Sequence, residues 1–157
     1  LQRLSERWVS GELCSIGLLD GEPYLFGWVR SSFEGYEDQC QVVADTLLEL
    51  REEVTRQGGR YAVVLIPAKI RVLGPLCSWP EDSTLSGFEE HVGPLREFMP
   101  GWAAEHGVPY LDLTDPLVAS VEPGRIPWFP ADTHWNSQGH AVAAEAVLAW
   151  LSTVEAE

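Results

Sequence analysis

The segment RYAVVLIPAK limits what this chain can fold into more than any other. Residues 62–66 form a continuous apolar run rich in β-branched side chains, with no polar alternation. A strand with one wet face alternates. An unbroken run reads instead as a strand buried on both faces, which is the situation of a parallel sheet covered by helices. Pro67 ends the run, because proline cannot donate to a ladder.

The flanks agree with that reading. Over residues 37–57 the apolar positions Cys40, Val43, Leu47, Leu50 and Val54 recur at steps of three and four, which predicts an amphipathic helix with one apolar stripe. Glu37 and Asp38 suit its positive N-terminal end, and Gly58-Gly59 is a stop signal. Residues 24–30, YLFGWVR, read as a strand and the following SSFEGYED as a turn. Residues 69–86 read as a loop, and residues 87–106 as a helical stretch broken by Pro94 and Pro100 and stopped by Gly107. VPYLDLT (108–114) reads as a second central strand. DPLVASV then opens a short helix with Asp115 as cap and Pro116 in the first turn. A final helix is expected from about Ser137 to Val154, with Val142, Ala146 and Leu151 on its apolar side. The order helix, strand, helix, strand, helix defines an α/β layered domain. The expected fold is a three-layer sandwich with a mainly parallel sheet, in one domain over residues 1–157. Two clear central strands make it incomplete, unless residues 1–35 add strands.

Composition narrows the partners. The 157 residues suffice for one sizeable core. A net charge of -14 argues against nucleic acid and anionic membrane surfaces, both of which would repel it. No apolar run approaches the roughly 18 residues of a membrane-spanning helix. The chain begins without Met and without a signal-peptide pattern, and reads as the interior of a longer one. The cysteines Cys14, Cys40 and Cys77 are odd in number and widely spaced, which gives neither a zinc pattern nor a disulfide framework. Cys40 lies on the apolar face of its helix and reads as a small core residue.

The chemistry concentrates in FPADTHWNSQGH, residues 129–140. In an extended segment residues i and i+2 point the same way. Asp132 can then meet His134, fix its tautomer and stabilise its imidazolium. The plainer alternative is that Asp132 caps a turn and His134 is an ordinary loop residue. Asp132, His134 and His140 also allow a three-ligand metal site, but no fourth ligand or second cluster supports one, and neither metal nor cofactor is expected. Asn136 suits the cap of the final helix. Trp128, just before the segment, and Trp135, within it, are candidate pocket walls. Lys69 is a candidate contact for an anionic substrate, or else a solvated lysine. His91 and His106, on helical stretches without partners, read as surface residues.

DTHWNSQGHAVAAEAVLAWL resembles the C-terminal motif of the SGNH hydrolase superfamily, the GDSL-like esterases. The Asp-x-His-Trp form is similar to that of the alginate O-acetyltransferase-like branch. VVLIPAKIRVL and GVPYLDLTDPL are similar to that branch's strands, and the resemblance spans roughly residues 37–154. It implies Asp132 and His134 as catalytic acid–base residues, Lys69 near substrate, and an extracytoplasmic location. The implied reaction is acyl-ester hydrolysis or O-acyl transfer on a small-molecule or carbohydrate ester, without cofactor. The family's Gly-Asp-Ser nucleophile motif and its Gly-x-Asn-Asp oxyanion motif are both missing from this chain. Ser32 in SSFEGY is the nearest echo, with Ser31 where the motif has Asp. The nucleophile is therefore expected outside residues 1–157, and the incomplete sheet is expected to favour self-association. The alternative is a non-catalytic carbohydrate-binding relative that uses Trp128 and Trp135 as stacking surfaces.

Overall fold

The computed structural model describes residues 14–27, 36–81 and 94–154. In chain order these form strands β1 (Cys14–Leu19) and β2 (Glu22–Gly27), helix α1 (Glu37–Arg56) and strand β3 (Val63–Leu65). Helix α2 (Lys69–Leu73) follows with a 3-10 turn (Gly74–Leu76), then helix α3 (Pro94–His106), strand β4 (Tyr110–Asp112), and helices α4 (Thr114–Ala119) and α5 (Ser137–Val154).

β3 and β4 pair in parallel, with Val63 opposite Tyr110, Val64 opposite Leu111 and Leu65 opposite Asp112. Side chains alternate across a strand, so these pairs point to opposite faces in turn. Val63 and Tyr110 pack against Ala44 of α1, Met99, Trp102 and Ala103 of α3, and Val108. Val64 and Leu111 pack the other way, against Ile70 and Leu73 of α2, Leu117 of α4, Trp128, Ala143 of α5 and the hairpin residues Tyr24 and Phe26. The parallel pair is thus covered on both faces, as the unbroken apolar run requires, and the architecture is an α/β sandwich. Among the described residues no helix is long and apolar enough to cross a membrane.

Several expectations change. The central strand is shorter than residues 62–66. Ala62 is exposed, β3 is half-buried and Ile66 is 63% exposed. Among the described residues each strand of the pair has one strand neighbour. The buried face of α1 is also rotated from the expected stripe. Cys40 and Ala44 are buried and Leu47 and Leu48 partly so, while Val43 and Leu50 are 39% and 50% exposed. Ala44, fully buried, allows α1 to come close to α3, and this contact overrides the larger side chains. Residues 69–76 are helical rather than loop, because Lys69–Leu73 contains no glycine or proline. α4 begins at Thr114, so Asp115 lies in its first turn and does not cap it; Asp112 Oδ1 accepts from Thr114 N at 2.8 Å instead.

The β1–β2 hairpin is the main element that sequence reading misses, although its second strand covers 24–27 of the expected 24–30. Its two-residue turn is Asp20-Gly21, both with positive φ (52° and 82°). Asp-Gly between apolar runs is a strong hairpin signal for that reason. Residues 28–35, with the candidate Ser32, and residues 82–93, with His91, lie outside the described residues.

Candidate active site

Trp128 anchors the segment that holds Asp132 and His134. Its indole is 1% exposed, and it forms an isolated antiparallel bridge with Trp135, their rings edge-to-face at 6.1 Å. Truncating such a buried indole typically costs about 3–5 kcal/mol. The bridge closes residues 129–134 into a loop, with Phe129 N donating to His134 O at 3.3 Å. Leu25 N of β2 donates to Pro130 O at 2.8 Å, which fastens the loop to the hairpin.

At the tip, Asp132 Oδ1 accepts from His134 N at 2.9 Å and also pairs with His134 Nδ1. The first bond is an Asx turn, the local habit of aspartate that folds its side chain back on its own backbone. Asp132 and His134 therefore meet through a turn and not through an extended strand. The backbone and ring donors of His134 hold the Asp132 carboxyl below the ordinary carboxylate range. Both side chains are exposed, His134 more than Asp132. Among the described residues no hydroxyl or thiol bonds to His134.

Lys69 is neither solvated nor open to substrate. It is 4% exposed, and its Nζ donates to four main-chain carbonyls: Leu25 at 2.9 Å, Phe129 at 2.8 Å, Pro130 at 2.9 Å and Asp132 at 3.0 Å. Burial pulls its pKa down to about 8, while the Asp132 carboxylate and the Cys77 sulfur oppose the shift. The four carbonyl dipoles also favour the charged form. Lys69 follows β3 by four residues, so these bonds place the loop beyond the C-terminal end of the parallel pair, the usual ligand side of such sheets.

Asn136 both caps α5 and braces the loop. Its Oδ1 accepts from Gln138 N and Gly139 N at 3.0 and 3.1 Å, while its Nδ2 donates to Ile126 O at 2.6 Å and Trp128 O at 3.4 Å. Gly139 is required by close approach. A Cβ there would lie 2.4 Å from Pro127 O and 2.9 Å from Trp135 Cβ.

The remaining candidates separate. Trp128 is core and offers no stacking face; Trp135 is half-buried. His140 is exposed and sits edge-on to Trp135 at 5.7 Å. No group of three metal-ligating side chains occurs among the described residues. His106 is half-buried against the Trp102 ring at 5.6 Å, with its carbonyl accepting from Arg51, so it is not a free surface residue. A cavity of about 180 Å³ lined by Arg60, Tyr61, Pro109 and Leu151 lies at the opposite, N-terminal end of the strands and excludes the Asp132–His134 pair. Sequence reading missed the loop carbonyls and Leu25, because main-chain groups leave no residue signature. The apolar neighbours of Lys69 were the available sign of its burial.

A family model described as the SGNH hydrolase-like domain of acetyltransferase AlgX matches residues 26–156. The chain therefore belongs to this SGNH hydrolase-like family, one of acyl-esterase and acetyltransferase type. No curated protein and no solved structure matches it significantly.

Proposed function

We propose that Asp132 and His134 are the acid–base pair of an acyl-transfer site acting on an acyl ester, with hydrolysis or O-acyl transfer as the outcome. The observation that carries this reading is the Asp132 carboxylate on His134 Nδ1, with the imidazole exposed and its Nε2 without a hydrogen-bond partner among the described residues. In the reaction a serine hydroxyl gives its proton to Nε2 as its oxygen bonds to the ester carbonyl carbon. The tetrahedral oxyanion collapses, the C–O bond to the leaving alcohol breaks, and Nε2 returns the proton to that alcohol. Water or a sugar hydroxyl then attacks the acyl-enzyme, with His134 repeating both transfers. Asp132 keeps Nδ1 protonated and stabilises the imidazolium.

The substrate we expect is an uncharged ester. The net charge of -14 repels polyanions, and the Lys69 charge is turned toward backbone carbonyls. A non-catalytic carbohydrate-binding role is the weaker reading, because Trp128 is buried. The test is hydrolysis of p-nitrophenyl acetate by the complete encoded polypeptide. His134→Ala is expected to lower kcat by about 10²–10⁴-fold, the usual size of a general-base contribution. An unchanged rate in that variant would remove His134 from the chemistry.

A further inference from the structure

Nζ of Lys69 offers three hydrogens to four carbonyls, so one hydrogen is shared. Three of those carbonyls, from Phe129, Pro130 and Asp132, belong to the loop that presents the acid–base pair. The fourth, from Leu25, belongs to β2, and the rings of Tyr24 and Phe26 lie 5.1 and 5.3 Å from Nζ. Among the described residues no carboxylate oxygen bonds to it. Carbonyl dipoles and ring faces make the direct contacts to this buried cation among the described residues, and a buried cation is costly.

Drawing three carbonyls of one four-residue stretch, 129–132, toward one point fixes the path of the loop. The carbonyl of Asp132 is among them, so the direction of its carboxylate toward His134 is set by the same contact. We propose that Lys69 is the positioning residue of the Asp132–His134 pair: its ammonium gathers the loop carbonyls and thereby aims the Asp132 carboxylate at Nδ1. This rests on the acyl-transfer reading of the pair, although the clamp itself can be tested apart from activity.

The experiment uses Lys69→Met in the complete encoded polypeptide, which keeps the apolar stem and removes the charge. kcat is expected to fall about 10²-fold with KM little changed, since misplacement of about 1 Å has that effect. Amide exchange supplies the independent readout. The N–H groups of Leu25, Asp132 and His134, which bond to Pro130 O, Phe129 O and the Asp132 carboxylate, should exchange roughly tenfold faster or more, while those of α1 hold. Wild-type kcat and wild-type loop protection in Lys69→Met would overturn the proposal. If Lys69→Met fails to fold, Lys69→Ala with added propylammonium decides. Recovery of kcat supports the clamp, and no recovery overturns it. If the wild-type protein has no esterase activity, the acyl-transfer reading fails alone, and exchange still decides the clamp: faster exchange confined to the loop supports it, and unchanged exchange overturns it.

Discussion

Asn136 offers the sharpest test of how the loop is built. In a common helix cap the residue only accepts, so aspartate, serine and asparagine interchange at small cost. Here the side chain also donates, through Nδ2 to Ile126 O at 2.6 Å. Asn136→Ala removes the cap, worth about 1 kcal/mol. It also removes the donor to a part-buried carbonyl, worth about 1–3 kcal/mol. The expected loss is about 2–4 kcal/mol, or roughly 5–15 °C in Tm for a chain of this size. Asn136→Asp is the discriminating variant. It keeps the acceptor for Gln138 N and Gly139 N, yet turns a carboxylate oxygen toward Ile126 O. It should lose about 2 kcal/mol despite being a good cap, because the donor is gone and two oxygens now face each other. Urea unfolding at neutral pH, read as the midpoint at unchanged slope, gives both values. If Asn136→Asp stays within about 0.5 kcal/mol of wild type, the size of an ordinary surface change, the bracing role of Nδ2 is wrong.

Gly139→Ala should destabilise by about 1–3 kcal/mol or more in thermal unfolding, since its Cβ would meet the Pro127 carbonyl at 2.4 Å. Tyr110→Phe should be neutral or stabilise by up to about 1 kcal/mol in the same assay, because the Tyr110 hydroxyl is buried without a partner among the described residues. Burial pushes the Cys77 thiol up to about 11 from 9.0. Between those values the unfolded chain holds fewer protons than the folded one, so this group's stabilisation is full below pH 9.0 and is lost as pH rises through about 11. The loss is at most about 3 kcal/mol. Urea midpoints across that window should fall less steeply in Cys77→Ala than in wild type.

Much of the frame was legible because it is written in side chains. The apolar run around Val63 and Val64 required two covered faces, and the structure supplies α1 and α3 on one and α2, α4 and α5 on the other. The bounds of α5 were readable, since Asn136 announces its start, and Val142 and Ala146 pack on the core as expected, whereas Leu151 is exposed. The hairpin is hard to read because β1, with Gly17, has weak strand character, and only Asp20-Gly21 marks its turn. The α1 stripe was misjudged because periodicity cannot tell which neighbour will approach; the small side chain of Ala44 decided it. Asp132 and His134 were legible as a pair, but the Asx turn that joins them was not. Lys69 reads from sequence as a contact for an anionic substrate or as a solvated charge; its buried clamp is not legible because its partners are main-chain carbonyls from residues 25 and 129–132, far away in sequence.

The central claim is that His134 Nε2 moves the proton that makes a serine an acyl acceptor. Trapping the acyl-enzyme tests it most directly. The complete encoded polypeptide is mixed with p-nitrophenyl acetate, quenched in acid within the first turnover, and its intact mass and labelled peptide are read by mass spectrometry. The account predicts one acetyl group on a single serine in the wild-type protein, and a strongly reduced yield in His134→Ala. Equal acetylation of that serine in both proteins, or no acetylation in either, would contradict it.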